Sequence, residues 1–551
     1  MTERSLAEPQ GTRVLTIHDL PTHPFSGQDV PSLLAARAAE RGSHPFLIWE
    51  PFEGPSATWS YATFADKVER VAAGLAGRGV KPGERVLVHL DNCPESLFAW
   101  YACARLGAVA VTTNARSSGD ELTYFAEHSA AVAGITQPKF AELVSRSCKG
   151  LRWLAVTETD NGLAPAAGRR PDKASSFAAL EAPAGPLPPR RPDPLAPVGV
   201  QYTSGTTSRP KGVLWTHANA LWGARVNAVH EGLVPADVHM TFLPMFHTNA
   251  QAYSVLAALW AGATVVLQPR FSASRFWPVA LKHRCSWTSL VPFCVKALLE
   301  QPRPAQHHFR LWGSAICEPP TDAHFGVRTI GWWGMTETIT HGIVGDAYGR
   351  NRPMMIGRPA PEYGIAIRHD DGTPVAPGES GHLLVRGIRG LSLFMEYLNN
   401  PQATAESFDD AGWFKTGDRV TLHADGYIQF ADRAKDMLKV GGENVAASEI
   451  ERVIMLVPGV REVAVIGRKH PMLDEVPIAV VLVDRVQAGA DLPARVLDAC
   501  RASLADFKIP HEVRLVDELP RSTLEKIAKN ELRQQIEREA RAALPEAAAG
   551  S

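Results

Sequence analysis

Apolar positions in residues 60–111 switch repeatedly between helical and extended spacing. Two segments with helical spacing, "YATFADKVERVAAGLAGRG" and "PESLFAWYACARLG", are each followed by a short apolar segment, "RVLVHL" and "AVAVTT". Such alternation predicts parallel strands joined by helices that cover both faces of a sheet. The same pattern resumes in "HSAAVAGIT" and "LRWLAVTE". The expected fold class is therefore α/β.

This pattern is interrupted at two places along the chain. Residues 157–197 are rich in Pro, Ala and Arg, which predicts a long surface connection. Near residues 430–451 the spacing changes again, and the C-terminal remainder of the chain predicts a small α+β unit. A chain of 551 residues is also too long for one core. We predict a large N-terminal domain of layered α/β sheets over 1–431, a hinge at 432–436, and a small mobile C-terminal domain over 437–551.

Composition and charge exclude several classes of protein. A net charge of −1 and a pI near 7 give no general attraction to nucleic acid or to an anionic membrane. The seven cysteines contain no C-x-x-C pair, which favours buried, reduced thiols in a cytoplasm over a zinc site or disulfides. The N-terminus has no apolar signal region, and the apolar run 252–267 is too short for a membrane span. That run predicts a helix followed by a buried strand.

The segment "TSGTTSRPKG" comes after the predicted strand "PVGVQ". Its hydroxyl and glycine residues, at a strand end with free backbone N–H groups, predict a concave donor surface for phosphate oxygens, and a lysine adds charge. The spacing differs from the common nucleotide-binding loop, because a proline precedes the lysine and a glycine comes after it. A flexible surface loop is the alternative interpretation. The residues concerned are Thr203, Ser204, Gly205, Thr206, Thr207 and Lys211.

The order of these residues resembles the signature loop of the acyl-adenylate-forming superfamily, which includes acyl-CoA synthetases, luciferases and adenylation domains of peptide synthetases. The segment "GWWGMTET" resembles the family's aromatic-Gly-x-Thr-Glu motif. The resemblance implies that Trp333, with Gly334 and Met335, lies by the adenine, that Thr336 meets the adenylate phosphate, and that Glu337 helps to hold Mg²⁺. A turn against the adenine is implied for Gly313, Ser314 and Ala315.

Further motifs of the family occur in the same order. In "GWFKTGDRV" the resemblance implies that Asp418 accepts the ribose hydroxyls, as a carboxylate can. In "ADRAKDMLKVGGENV" it implies that Arg433 contacts the ribose, that Lys435 is the hinge residue, and that the next loop faces the site in the second half-reaction. The residues of that loop are Lys439, Gly441 and Gly442.

Two catalytic side chains complete the implied site. The segment "LPRSTLEKIAKNELR" aligns with the family's C-terminal motif and implies that Lys526 is the catalytic lysine, although Glu525 stands where most members have glycine. In "LPMFHTN" the resemblance implies that His247 lines the acyl pocket and meets the carboxylate. Without the family's other motifs, Lys526 would be interpreted as a solvated lysine and His247 as an ordinary core or surface residue.

The resemblance implies an ATP-dependent acid–thiol ligase that forms acyl-AMP and then an acyl-CoA, with ATP, Mg²⁺ and coenzyme A as cofactors or co-substrates. The alternatives are an adenylating enzyme that loads a carrier protein, and a non-catalytic nucleotide sensor. We expect a monomer or homodimer without nucleic-acid partners. The sequence resembles the carnitine/crotonobetaine-type CoA ligases more weakly, and Trp222, Trp332 and Trp333 would then cage a quaternary ammonium. We expect instead a plain apolar pocket for a fatty, aryl or polycyclic acid.

Overall fold

The computed structural model describes most of the chain. The described residues are 14–163, 171, 174–181, 187–203, 210–433, 437–440, 443–470, 473–483, 489–504, 506–521 and 527–542. Within them the α-helices are α1 (Val30–Arg41), α2 (Tyr61–Gly77), α3 (Pro94–Leu106), α4 (Gly119–Ser129), α5 (Pro138–Ser147), α6 (His217–His230), α7 (Ala257–Ala261), α8 (Ala273–Lys282), α9 (Pro292–Leu299), α10 (Thr321–Phe325), α11 (Pro401–Glu406), α12 (Ala447–Ile454), α13 (Leu492–Ser503) and α14 (Lys529–Ala542). A π-helix, Asn249–Leu256, leads into α7, and single 3₁₀ turns occupy Ile17–Asp19, Phe177–Leu180 and Asp506–Lys508.

The strands of the described residues form four sheets. They are β1 (Pro45–Trp49), β2 (Ala57–Ser60), β3 (Arg85–His89), β4 (Val109–Thr112), β5 (Ala131–Thr136), β6 (Leu154–Val156), β7 (Ala174–Ser176), β8 (Pro197–Thr203), β9 (Lys211–Thr216), β10 (Val238–Thr241), β11 (Thr264–Leu267), β12 (Trp287–Ser289), β13 (Leu311–Ser314), β14 (Thr329–Gly334), β15 (His341–Val344), β16 (Arg358–Pro359), β17 (Gly364–Arg368), β18 (Ser380–Arg386), β19 (Glu396–Tyr397), β20 (Phe414–Leu422), β21 (Ile428–Arg433), β22 (Met437–Val440), β23 (Glu443–Ala446), β24 (Val460–His470), β25 (Asp474–Val483) and β26 (Glu512–Val516).

Two large sheets carry the predicted α/β pattern. One has the strand order β19-β9-β8-β4-β3-β5-β6-β7, and the other β16-β15-β14-β13-β12-β10-β11-β1-β2. The strands from β8 to β7 pair in parallel, as do those from β14 to β1. Both sheets therefore have a parallel interior whose strands are largely buried, as apolar β-branched segments require.

Each large sheet ends in antiparallel strands, which the sequence pattern did not predict. Strand β9 turns back along β8, and β19 adds antiparallel to β9. In the other sheet β15 and β16 continue from β14 in antiparallel pairing, and β2 pairs antiparallel with β1. Antiparallel neighbours need no crossover helix between them, so these edges lack the strand–helix alternation of the interior. The predicted surface connection 157–197 also differs, because β7 within it extends the first sheet.

Helix α6 follows β9 directly, and a capping pair in the local sequence explains why the helix begins at His217. It starts after Thr216, whose side chain accepts a hydrogen bond from the Asn219 N–H, while the Asn219 side chain accepts one from the Thr216 N–H. This reciprocal capping satisfies N–H groups that a helix start leaves open. The Thr216 hydroxyl also donates to the Gly390 carbonyl at 2.6 Å, which joins the helix start to a distant part of the chain.

Contacts along the chain define two compact units. The first contains Met1–Ile365, Leu384–Lys415 and Asp425–Ile428, and the second contains Ala366–Leu383, Thr416–Ala424 and Gln429–Ser551. The two smaller sheets have the orders β17-β18-β20-β21 and β23-β22-β25-β24, with β26 beside β25. After residue 446 the chain forms α12, β24, β25, α13 and β26, which fits the α+β pattern predicted for this part of the sequence. They enclose a core that includes Ile450, Val465 and Val481.

Candidate active site

The predicted phosphate-binding segment lies at the antiparallel edge of the first large sheet. Thr203 ends β8 and Lys211 begins β9, and the two residues pair directly across the hairpin. Both are partly exposed. Ser204, Gly205, Thr206 and Thr207 lie outside the described residues. Lys211 is therefore at the start of a strand, and the phosphate donors predicted for residues 204–207 stay a prediction.

The turn 335–340 carries the second predicted motif and joins β14 to β15. Within it the Thr338 N–H donates to the Met335 carbonyl, and the Met335 N–H donates to the Thr338 hydroxyl at 3.0 Å. The turn is attached to the first sheet because the Trp215 indole N–H donates to the Thr336 carbonyl at 3.0 Å. The Phe394 N–H donates to the Glu337 carbonyl at 2.8 Å. The main chain at positions 336 and 337 is thus fixed by two bonds to other segments.

A tyrosine connects the predicted phosphate-binding lysine with the predicted metal-binding carboxylate. The Tyr397 hydroxyl donates to Glu337 Oε1 at 2.8 Å, and Lys211 Nζ lies 4.7 Å from the centre of the Tyr397 ring. Glu337 is only 3% exposed. Burial and the Glu337 carboxylate raise the pKa of Tyr397, so this phenol stays protonated and donates.

Thr336 lies beside a hydroxyl group of one further segment, which connects it to an amide oxygen of another. Its Oγ1 lies 3.3 Å from the Thr248 hydroxyl, which donates to Gln201 Oε1 at 2.9 Å. Gln201 is two residues before Thr203 on β8, and Thr248 comes directly after His247. His247 is partly exposed, and its ring lies against that of Phe246, with centres 4.4 Å apart. The structure therefore brings the segments of Thr203, His247 and Thr336 together.

Gly313 and Ser314 end β13, beside β14 in the parallel part of the second sheet. A Cβ atom on Gly313 would lie 1.7 Å from the Trp332 ring and 2.6 Å from the Trp287 ring. Only glycine fits there. Ser314 is buried, whereas Ala315 just beyond the strand is exposed. Ligands of open α/β sheets bind outside the carboxyl ends of parallel strands, where this turn lies.

The three tryptophans of the predicted ammonium cage do not surround one site. Trp332 and Trp333 are consecutive residues of β14, so their side chains project to opposite faces of the strand. The Trp332 ring stacks on His341, with centres 4.2 Å apart. The Trp222 indole N–H instead donates to the Tyr363 hydroxyl at 3.0 Å. Trp332 and Trp333, two members of the alternative ammonium cage, therefore do not face one ligand together.

Asp418 and Arg433, the predicted ribose-binding pair, both belong to the second unit and lie on the neighbouring strands β20 and β21. Asp418 is 7% exposed, and its N–H donates to the Thr416 hydroxyl at 3.1 Å. Gly417 before it has φ +76°, a left-handed conformation that favours glycine. Arg433 ends β21, and Lys439 lies within β22. The remaining predicted residues of this part of the chain lie outside the described residues: Lys435, Gly441, Gly442 and Lys526.

The donor set around Glu337 fits Mg²⁺ carried by a nucleotide. Among the described residues there is no group of three or more His, Cys, Asp or Glu side chains that could hold a metal ion. One buried carboxylate, oriented by Tyr397, supplies a hard oxygen ligand. Mg²⁺ in phosphate-binding sites commonly uses one or two carboxylates together with substrate phosphates and water. Glu337 is therefore suited to complete such a coordination sphere but not to provide it alone.

Sequence reasoning missed four residues that build this site: Gln201, Trp215, Thr248 and Tyr397. The first three lie close in sequence to residues that were predicted, so proximity to a motif was the available signal. Tyr397, in "FMEYLNN", has no such signal. It reaches Glu337 only because β19 pairs with β9, with Tyr397 opposite Val213.

Comparison with known proteins identifies the family of this chain. The family described as AMP-binding enzyme matches residues 34–398, and the AMP-binding enzyme C-terminal domain matches residues 449–526. A crotonobetaine/carnitine–CoA ligase of Salmonella paratyphi B is 33% identical over 524 residues, which cover 92% of this chain and 99% of that protein. The chain therefore belongs to the AMP-binding enzyme family.

Solved structures extend the similarity to the fold. ATP-bound MatB from Rhodopseudomonas palustris has a TM-score of 0.80 at 26% identity, over 92% of this chain and 98% of the other. The o-succinylbenzoate CoA synthetase from Bacillus subtilis, in complex with its acyl-adenylate intermediate, has a TM-score of 0.79 at 26% identity, with the same coverage. The predicted family, the α/β fold class and the class of AMP-forming acid–thiol ligase are confirmed.

Two predictions from composition can also be compared with the structure. All seven cysteines have buried side chains. The apolar run 252–267 forms the end of the π-helix, α7 and the buried strand β11, as predicted. In the described part of the chain, every helix is too short or too polar to cross a membrane.

Proposed function

We propose that this chain activates a carboxylic acid with ATP, releasing pyrophosphate, and then transfers the acyl group from acyl-AMP to the thiol of coenzyme A. ATP and coenzyme A are substrates of AMP-binding ligases, and the chain belongs to that family. The observation that carries the proposal is that Lys211 of β9 and the consecutive residues Thr336 and Glu337 of the turn 335–340 come together around Tyr397 and Trp215.

In the first half-reaction a carboxylate oxygen attacks the α-phosphorus of ATP, and the bond to the leaving pyrophosphate breaks. Lys211, with Thr203 and the hydroxyls of residues 204–207, holds the β- and γ-phosphates. Thr336 binds an oxygen of the α-phosphate, where its hydroxyl is already oriented by Thr248. Glu337 would hold Mg²⁺, and the ion would supply positive charge that offsets the negative charge of the phosphates.

The remaining residues orient the two substrates. His247 meets the carboxylate of the acid, and its neighbour Thr248 links it to Thr336. Residues 313–315 form one wall of the adenine site, and residues 333–335 form another. Asp418 accepts the ribose hydroxyls with help from Arg433. Lys526 neutralises charge on the carboxylate and the α-phosphate as the new bond forms, a preorganised electrostatic role.

The second half-reaction requires that Lys526 leave the acyl carbon so that the thiol can reach it. Rotation about Lys435 would do this and present the loop of Lys439, Gly441 and Gly442, since a few backbone dihedrals can absorb a domain rotation. We expect Lys435→Pro to preserve adenylate formation and to slow thioester formation. Pyrophosphate release and acyl-CoA formation, measured separately, test this. Equal loss in both half-reactions would contradict the hinge assignment.

For the acid we propose an apolar fatty, aryl or polycyclic compound. Trp332 and Trp333 point to opposite faces of β14, so these two indoles do not enclose one ammonium group together. Crotonobetaine and carnitine, named for the Salmonella relative, are the direct competitors. The proposal fails if only these betaines support pyrophosphate release.

One experiment tests the whole assignment. Pyrophosphate release is measured with ATP, Mg²⁺ and a panel of fatty, aryl, polycyclic and betaine acids, and the products are then identified with coenzyme A or with a holo-carrier protein. Acyl-CoA formation supports the proposal, whereas acyl transfer only to the carrier supports the alternative function. ATP binding without pyrophosphate release for any acid would indicate a nucleotide sensor. A cytoplasmic location and a monomeric or homodimeric state belong to the same proposal.

A further inference from the structure

Tyr397 lies between the two oppositely charged side chains of the proposed phosphate and metal site. Its hydroxyl donates to Glu337 Oε1 at 2.8 Å, and its ring is 4.7 Å from Lys211 Nζ. One side chain therefore contacts the lysine through its π face and the carboxylate through its polar end. An ammonium group over an aromatic face is attracted by the ring quadrupole.

The surrounding structure holds this tyrosine in a single position. Strand β19 pairs it with Val213 of β9, and its N–H donates to the Thr404 hydroxyl at 2.9 Å. Its ring packs against Phe394 with centres 4.7 Å apart, and the residue is 5% exposed. The Phe394 N–H also donates to the Glu337 carbonyl, so the same residue packs against the Tyr397 ring and holds the main chain of Glu337. The contacts to Lys211 and Glu337 are thus built into the sheet edge.

We propose that Tyr397 is a positioning residue that orients the Glu337 carboxylate toward Mg²⁺ and keeps Lys211 directed at the phosphates. The inference rests on the proposed function of those two residues. A phenol has one O–H group and donates one hydrogen bond to one carboxylate oxygen. This hydrogen bond fixes the rotation of the carboxylate group. The ring face holds the ammonium group while the hydroxyl holds the carboxylate, so the two charged groups contact different parts of one side chain.

Two substitutions separate the two roles. Tyr397→Phe keeps the ring and removes the O–H, so Lys211 keeps its aromatic contact and Glu337 loses its donor. We expect metal affinity to fall about tenfold or more, as when other partners of metal ligands are removed. Tyr397→Leu removes the ring as well, and we expect it also to weaken the binding of metal-free ATP several-fold. Tyr427→Phe is the matched control, because Arg358 lies 4.4 Å from the Tyr427 ring.

The measurement is Mn²⁺ binding in the presence of ATP, monitored by electron paramagnetic resonance, with metal-free ATP binding measured by calorimetry. Thermal unfolding of each variant checks that it is folded. A folded Tyr397→Phe protein with the Mn²⁺ affinity of the unmodified chain would overturn the inference, even if Tyr397→Leu does not fold. If Glu337→Gln also leaves Mn²⁺ affinity unchanged, the proposed metal role of Glu337 fails instead. A loss of Mn²⁺ affinity in the Tyr397→Phe protein but not in the Tyr427→Phe protein supports the inference.

Discussion

Two buried glutamates in the first unit have opposite surroundings. Glu337 accepts a hydrogen bond from Tyr397 and lies beside the partly exposed Lys211 site. Glu231, directly after α6, is fully buried, and its carboxylate faces two imidazoles. Its oxygens lie 3.7 Å from His239 Nε2 and 4.0 Å from His341 Nε2, distances too long for hydrogen bonds.

The surroundings of Glu231 favour the uncharged form of its carboxyl group and of both neighbouring imidazoles. Burial raises the pKa of Glu231 well above its ordinary value, lowers the pKa of His239 to about 4 and lowers the pKa of His341 well below its ordinary value. His239, Trp287, Trp332 and His341 stack in succession, with ring centres 5.2, 5.9 and 4.2 Å apart. Burial of a carboxylate is therefore not a sign of function by itself, since the donor beside it and access to ligand decide its role.

The largest expected difference between the two glutamates is in activity. We expect Glu337→Gln to lower the rate of pyrophosphate release about 10²-fold or more, because an amide removes the negative charge that the metal needs. Glu231→Gln is the matched control, and we expect it to leave the rate within about twofold. Initial rates at saturating ATP and increasing Mg²⁺ measure this. A comparable loss in both variants would remove the functional distinction.

The second expected difference is in stability. A carboxyl whose pKa is raised by folding contributes stability below its ordinary pKa of 4.5 and loses it as the pH rises through the folded pKa. Glu231→Gln removes this titration, so we expect the variant to gain stability relative to the unmodified chain as the pH rises from about 5 to about 8. The gain is at most about 1.4 kcal/mol per pH unit. Urea unfolding across this pH range measures the gain in stability. A difference in the free energy of unfolding between the two proteins that does not change with pH would contradict the prediction.

The smallest expected effect at neutral pH concerns His239. Its lowered pKa means that the neutral ring contributes stability above 6.5, and that this contribution is lost as the pH falls toward about 4. We expect His239→Gln to show a smaller loss of stability between pH 6.5 and about 5 than the unmodified chain. At neutral pH, titration of His239 should contribute almost no difference in the free energy of unfolding between the variant and the unmodified chain. Parallel acid-dependent curves for the two proteins would show that His239 does not titrate in the folded state as described.

Sequence patterns predicted the elements that depend on local spacing. The helices and strands of residues 60–111 appear as α2, β3, α3 and β4, because their apolar periodicity and their burial agree. The motifs also predicted that Lys211, Thr336 and Glu337 belong to one site, and Tyr397 contacts both Lys211 and Glu337. Tyr397 and Glu231 were not predictable, because their roles depend on pairs far apart in sequence. Tyr397 and Glu337, for example, are 60 residues apart.

The contact between Gly313 and Trp332 has a consequence for the evolution of this fold. A side chain at 313 would overlap the indole at 332, and it would also approach Trp287. A larger residue at the strand end thus requires a smaller ring on the next strand, so the two positions are expected to change together in descendants of this chain. A variant library with both positions randomised should recover Ala or Ser at 313 only in combination with a smaller residue at 332. The turn for which adenine binding is proposed and the buried ring stack are therefore expected to constrain each other through Gly313 and Trp332.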